Sequence, residues 1–393
     1  MRQKLLVTSL LIIMSISSCA SPVRINRAFP TTPTTTATST TTPSPTSTLN
    51  ISLTQVEETK AANLLQPYQV IQSNNLLALN WTLGEPVIKT LWFTKNAIWS
   101  SSENEQTAQK ILNLGMNPGL GVRALHANGI TGQGVTVAII DQNLLVDHPE
   151  FKGKIIKYRD FGTEQPSDKG SMHGPAVTSL LVGENIGTAP EAKVYYAAVP
   201  SWFLDAQYYA DALDWIIAEN ENLPADQKIR VVSVSSIPSG IWSEYKNQDA
   251  WDAAYERAIK AGILVLDCTY EHSYTNPCTL DMYDADNVAK CIPQWNGPTD
   301  SPHKRIYVPM SQRSMAIENG DPIFSYQYVG RGGISWTVPY LSGVLAMGWQ
   351  VNPDLTSSQL LDTAYASAYV TEDNLTVIDP QAFIEMVKLT LNK

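Results

Sequence analysis

The chain lacks an excess of positive charge. Its 393 residues include 27 Lys and Arg against 37 Asp and Glu, which gives a formal net charge of -10. Nucleic-acid binding depends on concentrated Lys and Arg side chains that neutralise phosphates. The composition therefore argues against nucleic acid as a partner. Nothing in the sequence requires a cofactor.

Long apolar runs are also scarce. Residues 1–18 contain Arg2 and Lys4, then the apolar run LLVTSLLIIM, then small residues that lead to Cys19. This order is typical of a secretory signal peptide, and the run is too short for a stable membrane span. No other apolar run approaches the ~20 residues of a spanning helix. We therefore expect the chain to be exported.

Cysteine is rare, with four residues in the chain. The segment Ile16–Cys19 resembles the bacterial lipobox, in which the cysteine becomes the lipid-modified first residue of the mature protein. This resemblance implies a membrane anchor at Cys19, whereas an ordinary signal cut nearby would leave a free thiol there. In an exported chain Cys278 and Cys291 are a plausible disulfide, with Cys268 buried at a strand end, although three cysteines permit three pairings.

Composition divides the chain into four parts, of which the signal peptide is the first. Residues 19–50 hold the lipid attachment site and a linker rich in Thr, Pro and Ser, with almost nothing to bury. Residues 51–117 form an N-terminal extension. We favour a decoration packed on the main domain over a removable prodomain, because no processing junction is visible. Residues 118–393 form the main domain, and the hydrophobic content of 44% is ample for its core.

The candidate catalytic residues begin with Asp141 and His173. The run VTVAII predicts a buried parallel strand that ends at Asp141, facing the crevice where α/β sheets bind ligands. Of the five histidines, only His173 combines a following glycine, a helix start in AVTSLL and a position between Asp141 and Ser335. His148 is more typical of a loop residue.

Ser335 follows Gly332 and Gly333 and precedes an apolar helical pattern with Pro339 in its first turn. At a helix N-terminus, free amide groups can stabilise an oxyanion that forms on a carbonyl attacked by the hydroxyl. The alternative is an ordinary serine N-cap on a buried helix. This stretch alone does not decide between the two, and the rest of the chain favours an exposed nucleophile.

Together Asp141, His173 and Ser335 are the residue types that a hydroxyl nucleophile needs. Serine attacks, histidine takes its proton, and the carboxylate fixes the imidazole tautomer. Their order and the segments GITGQGVTVAIID, SMHGPAV and GGISWTVPYLSG resemble the subtilase family of serine proteases over about residues 118–387. The resemblance and the alternating strand and helix patterns imply an α/β fold, a three-layer α/β/α sandwich with a mostly parallel central sheet.

The resemblance also implies a substrate pocket at Ser235, Ser236, Ala198 and Gly333, beside a strand edge that pairs with extended peptide. We therefore expect an extracytoplasmic, membrane-anchored serine endopeptidase that acts as a monomer on peptide or protein substrates. Two alternatives stay open. One is a lipoprotein of the same fold that binds peptides with weak or no catalysis, and the other is an esterase that uses the same triad.

Three features depart from the family pattern. A glutamine and Asn143 follow the aspartate in place of a small hydroxyl residue and glycine, and we expect Asn143 to accommodate a left-handed turn. Trp336 follows the nucleophile and is interpreted as core packing or as a pocket wall. The strand AGILVLDCTYEH lacks the Asn that donates to the oxyanion. Its position falls near Glu271, with His272 and Asn276 close by, and such a loss costs about 10²- to 10³-fold in rate.

The acidic residues Asp281, Asp284 and Asp286 lie at short spacing. Oxygen ligands at such spacing suit calcium, so a structural calcium loop is one interpretation. A solvated acidic face is the interpretation that we favour.

Overall fold

The computed structural model describes residues 84–99, 101–163, 170–294, 303–318 and 324–392, all of which belong to one compact unit. The predicted signal peptide, Cys19, the linker and residues 51–83 of the extension lie outside the described residues. No helix within these ranges has both the length and the apolar character needed to cross a membrane.

Strands and helices alternate between residues 155 and 267, whereas strands follow one another from residue 264 to residue 329. The strands are β1 Trp92–Thr94, β2 Thr136–Asp141, β3 Ile155–Asp160, β4 Lys193–Ala198, β5 Ile229–Val234, β6 Leu264–Asp267, β7 Thr275–Thr279, β8 Ile292–Pro293, β9 Ile306–Ser311, β10 Arg313–Ile317, β11 Ser325–Val329, β12 Tyr369–Val370 and β13 Thr376–Val377. The α-helices are α1 Glu85–Ile88, α2 Ser102–Leu114, α3 Val122–Ala127, α4 His173–Val182, α5 Ala206–Glu221, α6 Gln248–Lys260, α7 Thr337–Val351, α8 Ser357–Ala366 and α9 Pro380–Leu389.

The central sheet is parallel, with the strand order β3-β4-β2-β5-β6. Strand β2 lies in its middle, and each of its residues is buried because helices cover both faces. Successive side chains of a strand point to opposite faces. Val137 and Ile139 accordingly belong to the core beneath α4 and α7, whereas Ala138 and Ile140 belong to the core beneath α5 and α6. The predicted three-layer α/β/α sandwich is confirmed.

The described part of the extension packs against the main domain. Strand β1 pairs antiparallel with β11 in a sheet of order β1-β11-β10. The Trp92 indole N–H donates to Gln327 Oε1 over 2.7 Å. Helix α2 starts at a cap in which the Ser101 side chain accepts from the Asn104 N–H. These contacts fit the packed decoration, which stays a prediction for the extension as a whole.

The irregular segment after β7 is held by a disulfide. Cys278 pairs with Cys291, and Cys268 is free and buried just beyond β6, as the sequence suggested. Lys290 lies between two acidic side chains, with its Nζ 2.8 Å from Asp284 and 3.6 Å from Asp281. No group of three or more His, Cys, Asp or Glu side chains in the described ranges is arranged to hold a metal ion. The contacts fit the acidic face, and calcium binding stays a prediction.

Candidate active site

Asp141 is the last residue of β2, the middle strand of the central sheet. Asp141 is buried, with 3% of its surface exposed. Carboxylate Oδ1 lies 2.7 Å from His173 Nδ1 and also accepts from the Gln142 N–H over 2.8 Å. The predicted left-handed turn beyond the aspartate is wrong, because neither Gln142 nor Asn143 has a positive φ. The Asp141 carboxylate instead accepts the hydrogen bond of the Gln142 N–H, the first backbone amide after the strand.

His173 begins helix α4 and therefore enters the crevice from the side of the sheet that α4 covers. The next residue, Gly174, permits this close approach. A Cβ at Gly174 would lie 2.3 Å from Gln142 O and 2.6 Å from Tyr196 Oη, so any larger residue would push the helix away. Ser171 Oγ accepts from the Gly174 N–H over 3.2 Å. The glycine of the motif thus serves to bring the histidine to the aspartate.

Two opposing effects act on the pKa of His173. Burial lowers it, whereas the negative charge of Asp141 and the hydrogen bond to that carboxylate raise it, and the net result is a pKa above the ordinary 6.5. An Nδ1–H that donates to Asp141 leaves Nε2 as the basic nitrogen. This arrangement is the one that a general base requires.

Ser335 lies in a 3-10 turn, Ile334–Trp336, that leads directly into α7. The helix itself starts at Thr337, two residues beyond Ser335, with Pro339 in its first turn. Gly332 precedes this turn and has a φ of +71°. A Cβ added at Gly332 would lie 2.1 Å from Met310 O. Only glycine fits there without strain.

Ser335 is tied to the central sheet by two hydrogen bonds with Ser235. Ser235 Oγ donates to Ser335 O over 2.8 Å, and Ser335 Oγ donates to Ser235 O over 3.3 Å. Ser235 follows β5, the neighbour of β2, so the serine lies at the same sheet edge as Asp141. In the described structure the Ser335 hydroxyl thus donates to Ser235 O rather than to His173.

Trp336 is buried, as core packing requires, but its ring also lies against the candidate base. The ring centroids of Trp336 and His173 are 5.2 Å apart, with planes inclined by 32°. Among the described residues, the buried indole Nε1 has no hydrogen-bond partner. This contact was not predictable from the sequence, since it depends on how α4 and the turn before α7 meet.

The predicted pocket residues have different surroundings. Ser235 contacts Ser335, and Ser236 Oγ lies 2.9 Å from Tyr245 Oη. Gly333 is extended, with φ of −161°. Ala198 cannot line a pocket, because it is fully buried at the end of β4 and pairs with β2 on one side and β3 on the other. The prediction for Ala198 is therefore wrong, since neighbouring strands already occupy its edges.

The residues near the missing oxyanion donor also have other partners. Glu271 Oε1 accepts from the Ile241 N–H over 3.3 Å, and its buried Oε2 has no partner in the described structure. His272 Nδ1 lies 3.3 Å from Asp267 Oδ2, and its ring stacks on that of Tyr255. Asn276 lies within β7. His272 is thus directed at α6, which carries Tyr255.

His148 is fully buried and structural. Its Nδ1 accepts from the Glu150 N–H, and its Nε2 lies 3.2 Å from Ser325 O. Both ring nitrogens are therefore occupied. It lies in the loop between β2 and β3, as the sequence favoured, and its ring is buried in the core.

Comparison with known proteins supports the resemblance to the subtilase family. The Subtilase family profile matches residues 132–269. The serine protease AprX of Bacillus subtilis is 25% identical over 283 residues, 59% of this chain and 60% of the relative. Subtilisin E of Bacillus subtilis is 23% identical over 260 residues, 62% of this chain and 63% of the relative. The matched regions thus span less than two thirds of these relatives.

Solved structures show the same fold at low identity. Fervidolysin from Fervidobacterium pennivorans, described as a keratinolytic enzyme related to subtilisin, has a TM-score of 0.51 at 15% identity, covering 69% of this chain and 45% of its own. A chain of the subtilase cytotoxin SubAB has a TM-score of 0.50 at 15% identity, covering 70% of this chain and 96% of its own. The chain therefore has a subtilisin-like fold, and its residues 132–269 match the subtilase family of serine proteases.

Proposed function

We propose that the chain is an extracytoplasmic, membrane-anchored serine endopeptidase with Asp141, His173 and Ser335 as its catalytic triad. The observation that carries this proposal is the 2.7 Å contact between Asp141 Oδ1 and His173 Nδ1. It lies at the sheet edge where Ser335 is hydrogen-bonded to Ser235. The family match and the proteases among its relatives support the reaction class. The reaction requires no cofactor, and we expect a monomer.

In this mechanism Ser335 Oγ attacks the carbonyl carbon of the peptide bond while His173 Nε2 takes the hydroxyl proton. The tetrahedral intermediate collapses as His173 returns that proton to the leaving amine. Water then attacks the acyl-enzyme, again through His173, and releases the carboxylic acid. Asp141 keeps Nδ1 protonated and stabilises the imidazolium in both steps.

The test is labelling by a fluorophosphonate probe. We expect one label on the wild-type protein, mapped to the peptide that contains Ser335, and none on Ser335→Ala or His173→Ala. Ser342→Ala is the matched control, because Ser342 lies in α7, where its buried hydroxyl donates to Val338 O within the same helix. This control should label like wild type.

Absence of labelling on wild-type protein with a native circular dichroism spectrum would exclude the hydrolase. If the protein binds peptides without cleaving them, and Ser335→Ala binds equally well, the alternative of a peptide-binding lipoprotein is correct. Cleavage of a panel of small esters without cleavage of peptides would select the esterase.

The membrane anchor has its own test. Several acyl chains on Cys19 would hold the mature protein to a membrane, because each buried acyl chain adds to the free energy of membrane binding. Cys19→Ala is therefore expected to move the protein from the membrane fraction to the soluble fraction, as followed by immunoblotting. Cys268→Ala, the control, should stay with the membrane. A Cys19→Ala protein that remains membrane-bound would rule out this anchor.

A further inference from the structure

We propose that Glu318 is a positioning residue for the triad, because it joins the segment that follows Asp141 to the turn that precedes His173. This inference rests on the proposed function. Glu318 lies one residue beyond β10, far along the chain from both segments that it contacts.

Glu318 makes one contact with each segment. Its Oε2 accepts from the Leu145 N–H over 2.6 Å, and its own backbone N–H donates to Ser171 O over 3.3 Å. Ser171 in turn caps the Gly174 N–H at the start of α4. Gly170 lies so close that an added Cβ would be 2.3 Å from the Glu318 Cβ. A shift of Glu318 would therefore displace both the segment after Asp141 and the turn before His173.

Two tyrosines also hold the segment after Asp141, and one of them, Tyr196, lies against α4 as well, since an added Cβ at Gly174 would be 2.6 Å from its hydroxyl. The Tyr196 hydroxyl donates to Gln142 O, and the Tyr158 hydroxyl forms a hydrogen bond with the backbone of Leu144. These two rings stack on each other with centroids 5.4 Å apart. Glu318 adds a link to the turn before His173 through the Ser171 backbone, so it helps to set the separation between the two segments.

The surroundings of Glu318 disfavour a negative charge. The residue is 5% exposed, and Oε1 is buried with no hydrogen-bond partner among the described residues. The titratable side chains that face it from the neighbouring strands are Tyr158 and Tyr196, both kept neutral because burial raises their pKa. Burial likewise raises the pKa of Glu318 to about 8, although the Leu145 N–H opposes this. At neutral pH the carboxyl is uncharged, and it ionises in mildly alkaline solution.

Three variants test the proposal with a peptide substrate. Glu318→Ala removes the acceptor of the Leu145 N–H, and we expect kcat to fall about 10- to 100-fold with a smaller change in KM, since small displacements of catalytic groups have costs of this size. Glu318→Gln restores most of kcat, because its amide oxygen can accept the same bond. Glu150→Gln is the control, since Glu150 is also a buried carboxylate but contacts Asn185 and Tyr326 instead.

The pH profile separates positioning from a general effect on folding. Wild-type kcat/KM should fall as pH rises through about 8, when the buried carboxyl ionises. Glu318→Gln should lack this alkaline decline, whereas Glu150→Gln should keep it. A Glu318→Gln profile identical to that of wild type, or a Glu318→Ala protein with wild-type kcat, would overturn the proposal.

A stability measurement distinguishes this inference from the proposed function. The folded pKa lies above the ordinary 4.5, so only the unfolded chain loses the proton between pH 4.5 and about 8, and wild-type stability falls over that range. The Tm of Glu318→Gln minus that of wild type should therefore grow from pH 5 to 8. A constant difference would refute the buried neutral carboxyl even in an active enzyme. A growing difference in a protein that the probe does not label would refute the hydrolase instead.

Discussion

Replacing Asp141 by Asn is expected to lower kcat about 10⁴-fold, as the loss of the triad carboxylate does in serine proteases. The asparagine amide can donate to His173 Nδ1, which would move the ring proton to Nε2. The nitrogen that has to accept the Ser335 proton would then already carry one. Because the folded geometry changes little, KM should change far less than kcat.

The pH dependence gives this prediction a second readout. Asp141 raises the pKa of His173 above 6.5 against the lowering effect of burial, so wild-type activity should fall as pH drops through a value above 6.5. In Asp141→Asn the burial remains and the charge is gone. The acidic decline of the residual activity should therefore move to lower pH.

Asp160→Asn is the matched control for Asp141→Asn. Asp160 also ends a strand of the central sheet, but its carboxylate accepts from the Gly162 and Thr163 N–H groups rather than from a histidine. We expect the kcat of Asp160→Asn, and the pH at which its activity falls on the acidic side, to resemble those of wild type. An Asp141→Asn enzyme with a kcat within tenfold of wild type would remove Asp141 from the triad.

Gly174→Ala is expected to lower both the stability and the activity of the protein. The new methyl group would lie 2.3 Å from Gln142 O and 3.0 Å from Asn143 O, and these are backbone atoms that cannot rotate away. Overpacking of this kind costs about 1–3 kcal/mol of unfolding free energy, which exceeds the ~1 kcal/mol that alanine gains over glycine in a helix. The variant should also lose about 10²-fold in kcat, because the start of α4 carries His173.

Chemical denaturation and peptide hydrolysis measure these two effects. Gly84→Ala is the control, since Gly84 also lies at a helix start but has no atom closer than 3.6 Å to an added Cβ. It should retain both stability and activity. A Gly174→Ala protein as stable and active as this control would show that α4 does not approach Gln142 as closely as the structure describes.

Local sequence patterns were sufficient for the fold and for the Asp141–His173 pair. The apolar run before Asp141 and the His-Gly start of α4 specify a strand end and a helix end, and parallel strands bring such ends to one edge. The hydrogen bond of the Ser335 hydroxyl was not predictable in this way, because its partner Ser235 lies 100 residues away in the chain. A side-chain rotamer depends on such tertiary contacts.

Tertiary contacts also explain why the surroundings of Ala198, Trp336 and Glu318 were not predictable from local sequence patterns. The end of β4 was expected to be open, but the strand continues its pairing on both sides through Ala198. The contact between Trp336 and His173 joins two elements that are more than 150 residues apart. Glu318 follows an edge strand in a segment with no motif, and only its burial beside Leu145 reveals its position.

The pairing of β1 with β11 has a consequence for any truncated version of the protein. Strand β11 ends at Val329, its partner in β1 is Trp92, and the Gly330 N–H donates to Leu91 O just before the chain turns toward Ser335. A protein that began at residue 118 would leave this edge of β11 without its backbone partners, and unpaired edges loosen and attract other chains. The nucleophile would then be tethered on one side only, so an expression fragment should retain the residues of β1.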